Sequence, residues 1–236
     1  MQNLRTGLCA LALIGTCAAP AVGADVTPVD DSVLPAADPF VESAVDWSGL
    51  YTGVFAGYGG GQADWTYPVF GTEASPDPEG ALGGALVGYN HQFEHFIIGV
   101  EGDIAITNMD GSATCPNPAF DCQVEFDWFA TLRARAGVPM GRGLFYVTGG
   151  LAGAQLAPQV ENIATGQIGT GGNETQWGWT IGGGAEFAVR DNISLRGEAL
   201  YFDLGDRDYL EAFSPNNINL GLTGYQARAA VVFRFP

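Results

Sequence analysis

Residues 96–106, FIIGVEGDIAI, put Phe96, Ile98, Val100, Gly102, Ile104 and Ile106 on even positions and both charges, Glu101 and Asp103, on odd ones. A repeat of two belongs to a strand, whose successive side chains point to opposite faces. The same sorting works elsewhere. In FDWFATLRARAG the even row is Phe126, Trp128, Ala130, Leu132, Ala134 and Ala136, while Asp127, Thr131, Arg133 and Arg135 share the odd row. TQWGWTIGGGAEFAV sets Trp177, Trp179, Ile181 and Phe187 against Gln176, Thr180 and Glu186. ISLRGEALYF sets Leu195 and Tyr201 against Arg196 and Glu198, and GYQARAAVVFRF sets Tyr225, Val231, Phe233 and Phe235 against Gln226, Arg228 and Arg234. Gly49 to Gly61, Gly80 to Tyr89 and Leu144 to Leu156 are glycine-rich runs of the same kind. No stretch carries a helical period, so the chain is read as all-β with eight strands.

The connections alternate in length. Short turns are expected at Asn90 to His95, Pro139 to Gly143 and Arg190 to Asn192; long polar loops at Gln62 to Glu79, Thr107 to Gln123, Ala157 to Glu174 and Gly205 to Asn219. Strands joined this way form an antiparallel up-and-down barrel.

Two barrels have one oily and one polar face per strand: a soluble lipocalin-like barrel with the oil inside, and a membrane barrel with the oil outside. The polar face decides between them. It offers glycines, hydroxyls and a few opposite charges rather than the long lysine and glutamate side chains of a wet surface, and the chain has no lysine at all. Apolar rows of about 9 to 11 residues ending in aromatic side chains suit a bilayer. The aromatic residues expected toward lipid are Trp128, Trp177, Trp179, Tyr201, Tyr225, Phe233 and Phe235. An arginine at the bilayer midplane would cost about 2 to 4 kcal/mol, so Arg133 and Arg135 must point inward and find partners there. The expected lumenal ion network is Glu101, Asp103, Arg133, Arg135, Glu186, Arg196, Glu198 and Arg228. Eight strands leave an interior just wide enough for side chains to fill, which argues against general diffusion.

The ends of the chain carry other signals. Arg5, an apolar stretch and the small-residue pattern Val22-Gly23-Ala24 read as a signal peptide over residues 1–24, too short to span a bilayer. Residues 25–46 hold acidic residues, prolines and no basic residue, and read as a flexible tail before a barrel at 47–236. The whole chain has 9 basic and 26 acidic residues and a net charge of −17, one unit more negative without Arg5. That balance excludes a basic nucleic-acid surface. Cys115 and Cys122 remain as a pair, and in an oxidising compartment they are expected to form a disulfide.

WSGLYTGVFAGYGGG, IGVEGD, LRARAGVP, YVTGGLA and LRGEALYFDLGD, in that order, resemble the small eight-stranded outer-membrane barrels known as outer-membrane immunogenic or porin-family proteins. The chain is similar, more distantly, to the membrane domain of outer-membrane protein A, whose lumenal Glu and basic residues would fall on Glu101, Arg135 and Glu198. The resemblance implies a bacterial outer-membrane location, surface loops, a structural or adhesive role and no catalytic centre. Partners would be outer-membrane lipid, lipopolysaccharide and the barrel-assembly machinery. Members commonly end on an aromatic residue, whereas here Pro236 follows Phe235.

Two short stretches have the residue types of sharper chemistry. HQFEH, His91 to His95, has the HxxEH spacing of inverted zinc proteases, which place both histidines on a helix. Here it falls where the chain must reverse, so a solvated turn is expected and no metal. A lipid-modifying barrel enzyme would need a base beside its nucleophile, and His91 and His95 sit on the wrong side for surface lipid. Asp203, Asp206, Asp208 and Glu211 suggest either divalent cations bridging to lipopolysaccharide phosphates or, the favoured reading, a solvated acidic loop. No cofactor is implied.

Overall fold

A computed structural model describes residues 45–67, 72–115, 117–170, 174–210 and 217–235. The expected leader, most of the tail, Glu211 and Pro236 lie outside them.

The strands are β1 (Gly49–Tyr67), β2 (Thr72–Ala74), β3 (Glu79–Gln92), β4 (Ile97–Thr107), β5 (Asp110–Thr114), β6 (Phe120–Met140), β7 (Gly143–Asn162), β8 (Gln167–Thr170), β9 (Glu174–Arg190), β10 (Ile193–Leu210) and β11 (Asn217–Arg234). Eight of them close a ring in the order β1, β3, β4, β6, β7, β9, β10, β11, with β11 pairing back onto β1, and every pair is antiparallel. Closure leaves these strands without a free edge. The short strands β2, β5 and β8 extend the hairpins at one end.

The faces point as a membrane barrel requires. Ile104, Ile106, Leu132, Val147, Leu151, Ile181 and Val231 stand exposed on the outer wall, while Glu101, Arg133, Arg135, Glu186 and Arg228 are buried inside. The lipocalin-like alternative has the opposite polarity and is thereby set aside.

Two expectations need correction. The regions read as long loops are largely strand: β1 runs to Tyr67, β6 starts at Phe120, β7 continues to Asn162, and β10 and β11 extend to Leu210 and from Asn217. Their glycine and polar content suggested loops, but Ala63, Met109, Cys115, Cys122 and Val160 within them are buried, in line with Val124, Leu156, Leu204, Leu220 and Leu222 on the adjoining strand residues. The hairpins therefore carry an apolar core beyond the ion network, joined by the Cys115–Cys122 disulfide. Second, Phe126 does not share the outward row of Leu132. The β6–β7 register slips between Phe126 and Trp128. Such a bulge inserts a residue and inverts the alternation, so Phe126 and Phe129 are both buried and Asp127 is exposed.

The short turns are tighter than expected. Phe93 N–H donates to the Phe96 carbonyl at 2.8 Å between β3 and β4, and Gly141, at φ 59°, starts the two-residue link between β6 and β7. That φ is a left-handed conformation that glycine adopts without a Cβ clash.

Candidate functional site

The lumen begins as pairs fixed by strand register. Glu101 lies opposite Arg133, Glu186 opposite Arg196, and Glu198 opposite Arg228. Directly opposed inward side chains on neighbouring strands are within reach of each other, and the contacts follow: Arg133 to Glu101 at 2.6 Å, Arg196 to Glu186 at 2.9 Å, and Arg228 to Glu198 at 2.6 Å.

Longer reaches join the pairs into one set. Arg228 crosses the interior from β11 to Asp103 on β4 at 2.9 Å, and Arg196 crosses from β10 to Glu101. Arg133 also meets Asp103 at 3.0 Å and Glu198 at 3.1 Å. Arg135 lies over the Tyr146 ring at 3.9 Å, donates to the Tyr51 hydroxyl at 3.0 Å and stands 3.5 Å from Glu186. All eight charged residues singled out in the sequence therefore lie inside the ring and in mutual contact.

Several members were not singled out. Arg234 joins through Glu186 at 3.5 Å, covers the Trp47 ring at 4.3 Å and donates to the Asp191 carbonyl at 3.0 Å. Its signal was its place on the same parity row as Arg228. The Tyr51 hydroxyl donates to Glu101 at 2.8 Å, the Tyr146 hydroxyl to Glu198 at 2.7 Å, and the Thr131 hydroxyl to Asp103 at 2.6 Å. Ser194 donates to Glu186. Tyr51 and Tyr146 lay in glycine-rich runs where parity was blurred.

Moving ions out of water costs several kcal/mol each, and only good geometry with further hydrogen bonds recovers it. These hydroxyl groups supply such bonds. Apolar layers close both ends of the charged zone. Trp47, Ile97, Leu144 and Ala188 pack at the short-turn end, where the backbone N–H of Trp47 donates to Gln92 Oε1 at 2.7 Å. Phe55, Leu82, Phe129, Phe202 and Leu222 fill the other side.

On the wall, Trp177, Trp179, Tyr201, Tyr225, Phe233 and Phe235 are all exposed, whereas Trp128 is half-covered and donates from Nε1 to Gln155 at 2.7 Å. His91 lies one residue before the end of β3 with its ring beside Phe93, and Glu94 and His95 stand in solvent on the turn, not on a helix. Asp203 and Asp206 flank a bulge at Gly205; the side chain of Asp208 and the whole of Glu211 lie outside the described residues. Among the described residues, no three His, Cys, Asp or Glu side chains converge as metal ligands.

A closed antiparallel ring, oily outside and ionic within, is the architecture of an outer-membrane protein beta-barrel domain, and the family model of that description matches residues 9–235. The chain belongs to this family. The 31 kDa outer-membrane immunogenic protein of Brucella melitensis is 33% identical over 219 residues, covering 86% of this chain and 90% of that protein. A 22 kDa outer membrane protein of Rhizobium leguminosarum is 28% identical over 189 residues, covering 77% and 79%. The crystal structure of OprG from Pseudomonas aeruginosa shares the fold at TM-score 0.50 and 12% identity, over 82% of this chain and 99% of that one. The barrel is a bacterial outer-membrane protein of the immunogenic group. In such barrels the short turns face the periplasm and the long hairpins the outside.

Proposed function

We propose that the barrel is a sealed structural element of the outer membrane that holds stiff hairpins at the cell surface, in an adhesive or envelope-stabilising role. The observation that carries this reading is the filled interior, with five arginines and four carboxylates in contact among the described residues and an apolar layer on each side. An eight-stranded ring has no spare width for an open channel once such side chains occupy it. The outer wall meets lipid and lipopolysaccharide, and the aromatic row ending in Phe233 and Phe235 is what the assembly machinery would engage.

A catalytic role has less support. The relatives carry names of immunogenic outer-membrane proteins, and the chain's two histidines sit at the periplasmic turn, away from surface lipid. The test is conductance of the refolded full chain in planar bilayers. Silent membranes are the expected result, and large stable open channels would refute the seal.

A further inference from the structure

The outer wall has a hollow. A cleft of about 590 Å³ opens on it at the extracellular end of the oily belt. Strand register explains its shape: Tyr201 lies opposite Tyr225, Tyr225 opposite Gly60, and Gly60 opposite Glu79. Four neighbouring strands thus present Tyr, Tyr, Gly and Glu on one level. The glycine leaves a gap in that row. A Cβ at Gly60 would stand 3.2 Å from the Tyr225 hydroxyl and 3.7 Å from the Glu79 Cβ. Gly61 N–H donates to the Pro78 carbonyl at 2.9 Å, which brings the chain at Asp77 in along the same rim. One wall is therefore two phenol rings and the other two carboxylates.

Its height on the barrel restricts what reaches it. Trp179 packs on Tyr201 at 5.5 Å, and Trp177 is 65% exposed one pleat further on. Such an aromatic girdle marks the boundary between acyl chains and headgroups. The cleft faces sideways from that girdle, so it meets the polar part of an outer-leaflet lipid.

The lining restricts the chemistry further. Ionised carboxylates only accept hydrogen bonds, so a phosphate in the cleft would be repelled, and an acyl chain would offer neither acid a donor beyond the Tyr58 hydroxyl that Glu79 already accepts. A phenol ring covers an apolar C–H surface while its rim stays polar. A pyranose with hydroxyl and amide hydrogens along one edge and C–H bonds on its flat face satisfies both walls. We propose that the cleft holds a glucosamine ring of the lipopolysaccharide headgroup, its face on Tyr225 and its O–H and N–H groups toward Asp77 and Glu79, with the phosphates outside. This assignment rests on the barrel being embedded in the outer membrane and adds a defined lipid subsite to it.

The test uses the refolded full chain in detergent, with heat-modifiable gel migration confirming that each sample is a folded barrel. Native mass spectrometry then counts retained lipid after exposure to purified rough lipopolysaccharide, to phosphatidylglycerol, or to a pentalysine peptide. The expected result is one lipopolysaccharide retained in preference to phosphatidylglycerol, with retention reduced about tenfold, or roughly 1.4 kcal/mol, by Tyr225→Ala and by Gly60→Leu. Equal retention of both lipids, or retention unchanged in both variants, would overturn the subsite. So would binding of pentalysine without lipopolysaccharide, which would make the cleft a cation site, or loss of lipopolysaccharide on adding EDTA, which would assign it to metal bridging. A wild-type chain that fails to migrate as a folded barrel would contradict the membrane fold instead.

Discussion

Glu101 ties together more of the lumen than a single ion pair would. It meets Arg133 at 2.6 Å, Arg135 at 3.6 Å and Arg196, and accepts from Tyr51 at 2.8 Å. Removing its charge leaves buried guanidinium groups uncompensated, which costs about 3 to 5 kcal/mol for a buried pair. Glu101→Gln should therefore lower the urea stability of the refolded barrel by that amount. The loss should be less than additive with Arg133→Gln in a double-mutant cycle, with a coupling of about 0.5 to 3 kcal/mol. At this scale the sequence was informative because charge and parity coincide: Glu101, Asp103, Arg133 and Arg135 all occupy odd positions. Arg234 was harder to place. Its surroundings come from Trp47, Ser194 and the Asp191 carbonyl, which only closure of the ring brings together.

Whole strands were legible where alternation was uninterrupted, as in β4, and misread where a bulge or polar composition intervened. One slip in β6 reverses the faces of Phe126 and Asp127, and no sum over residue types reveals it. The extended hairpins hide their apolar inner row among glycines and acids. The same inner row continues down into the barrel. Phe202 is fully buried against Phe129, with ring centroids 5.0 Å apart, so Phe202→Ala should cost about 3 to 5 kcal/mol in the same urea assay. A change within about 0.5 kcal/mol, the range of an unpacked surface position, would contradict that packing. The disulfide closes the β5–β6 hairpin across a sequence separation of 7. Its removal in Cys115→Ser/Cys122→Ser should speed proteolytic nicking near Asn117 while the transmembrane ring stays intact, as gel analysis of limited digests would show. Nicking at the same rate in both chains would mean that the hairpin is held by its strands alone.

For the molecule as a whole, the decisive property is that hydropathy is turned inside out: acyl chains solvate the aliphatic rows, and ionised side chains solvate one another. Neither half works alone, because unpaired buried charge and water-exposed aliphatic rows are both costly. Consecutive positions of β4 report on this within one turn of the pleat, since Ile104 is 58% exposed, Ala105 is 2% exposed and Ile106 is 77% exposed. Spin labels placed singly at these positions, in barrels reconstituted into lipid, should collide readily with dissolved oxygen at Ile104 and Ile106 and poorly at Ala105. The reverse pattern, with Ala105 open to oxygen or a water-soluble nickel complex reaching Ile104 and Ile106, would contradict the inverted barrel.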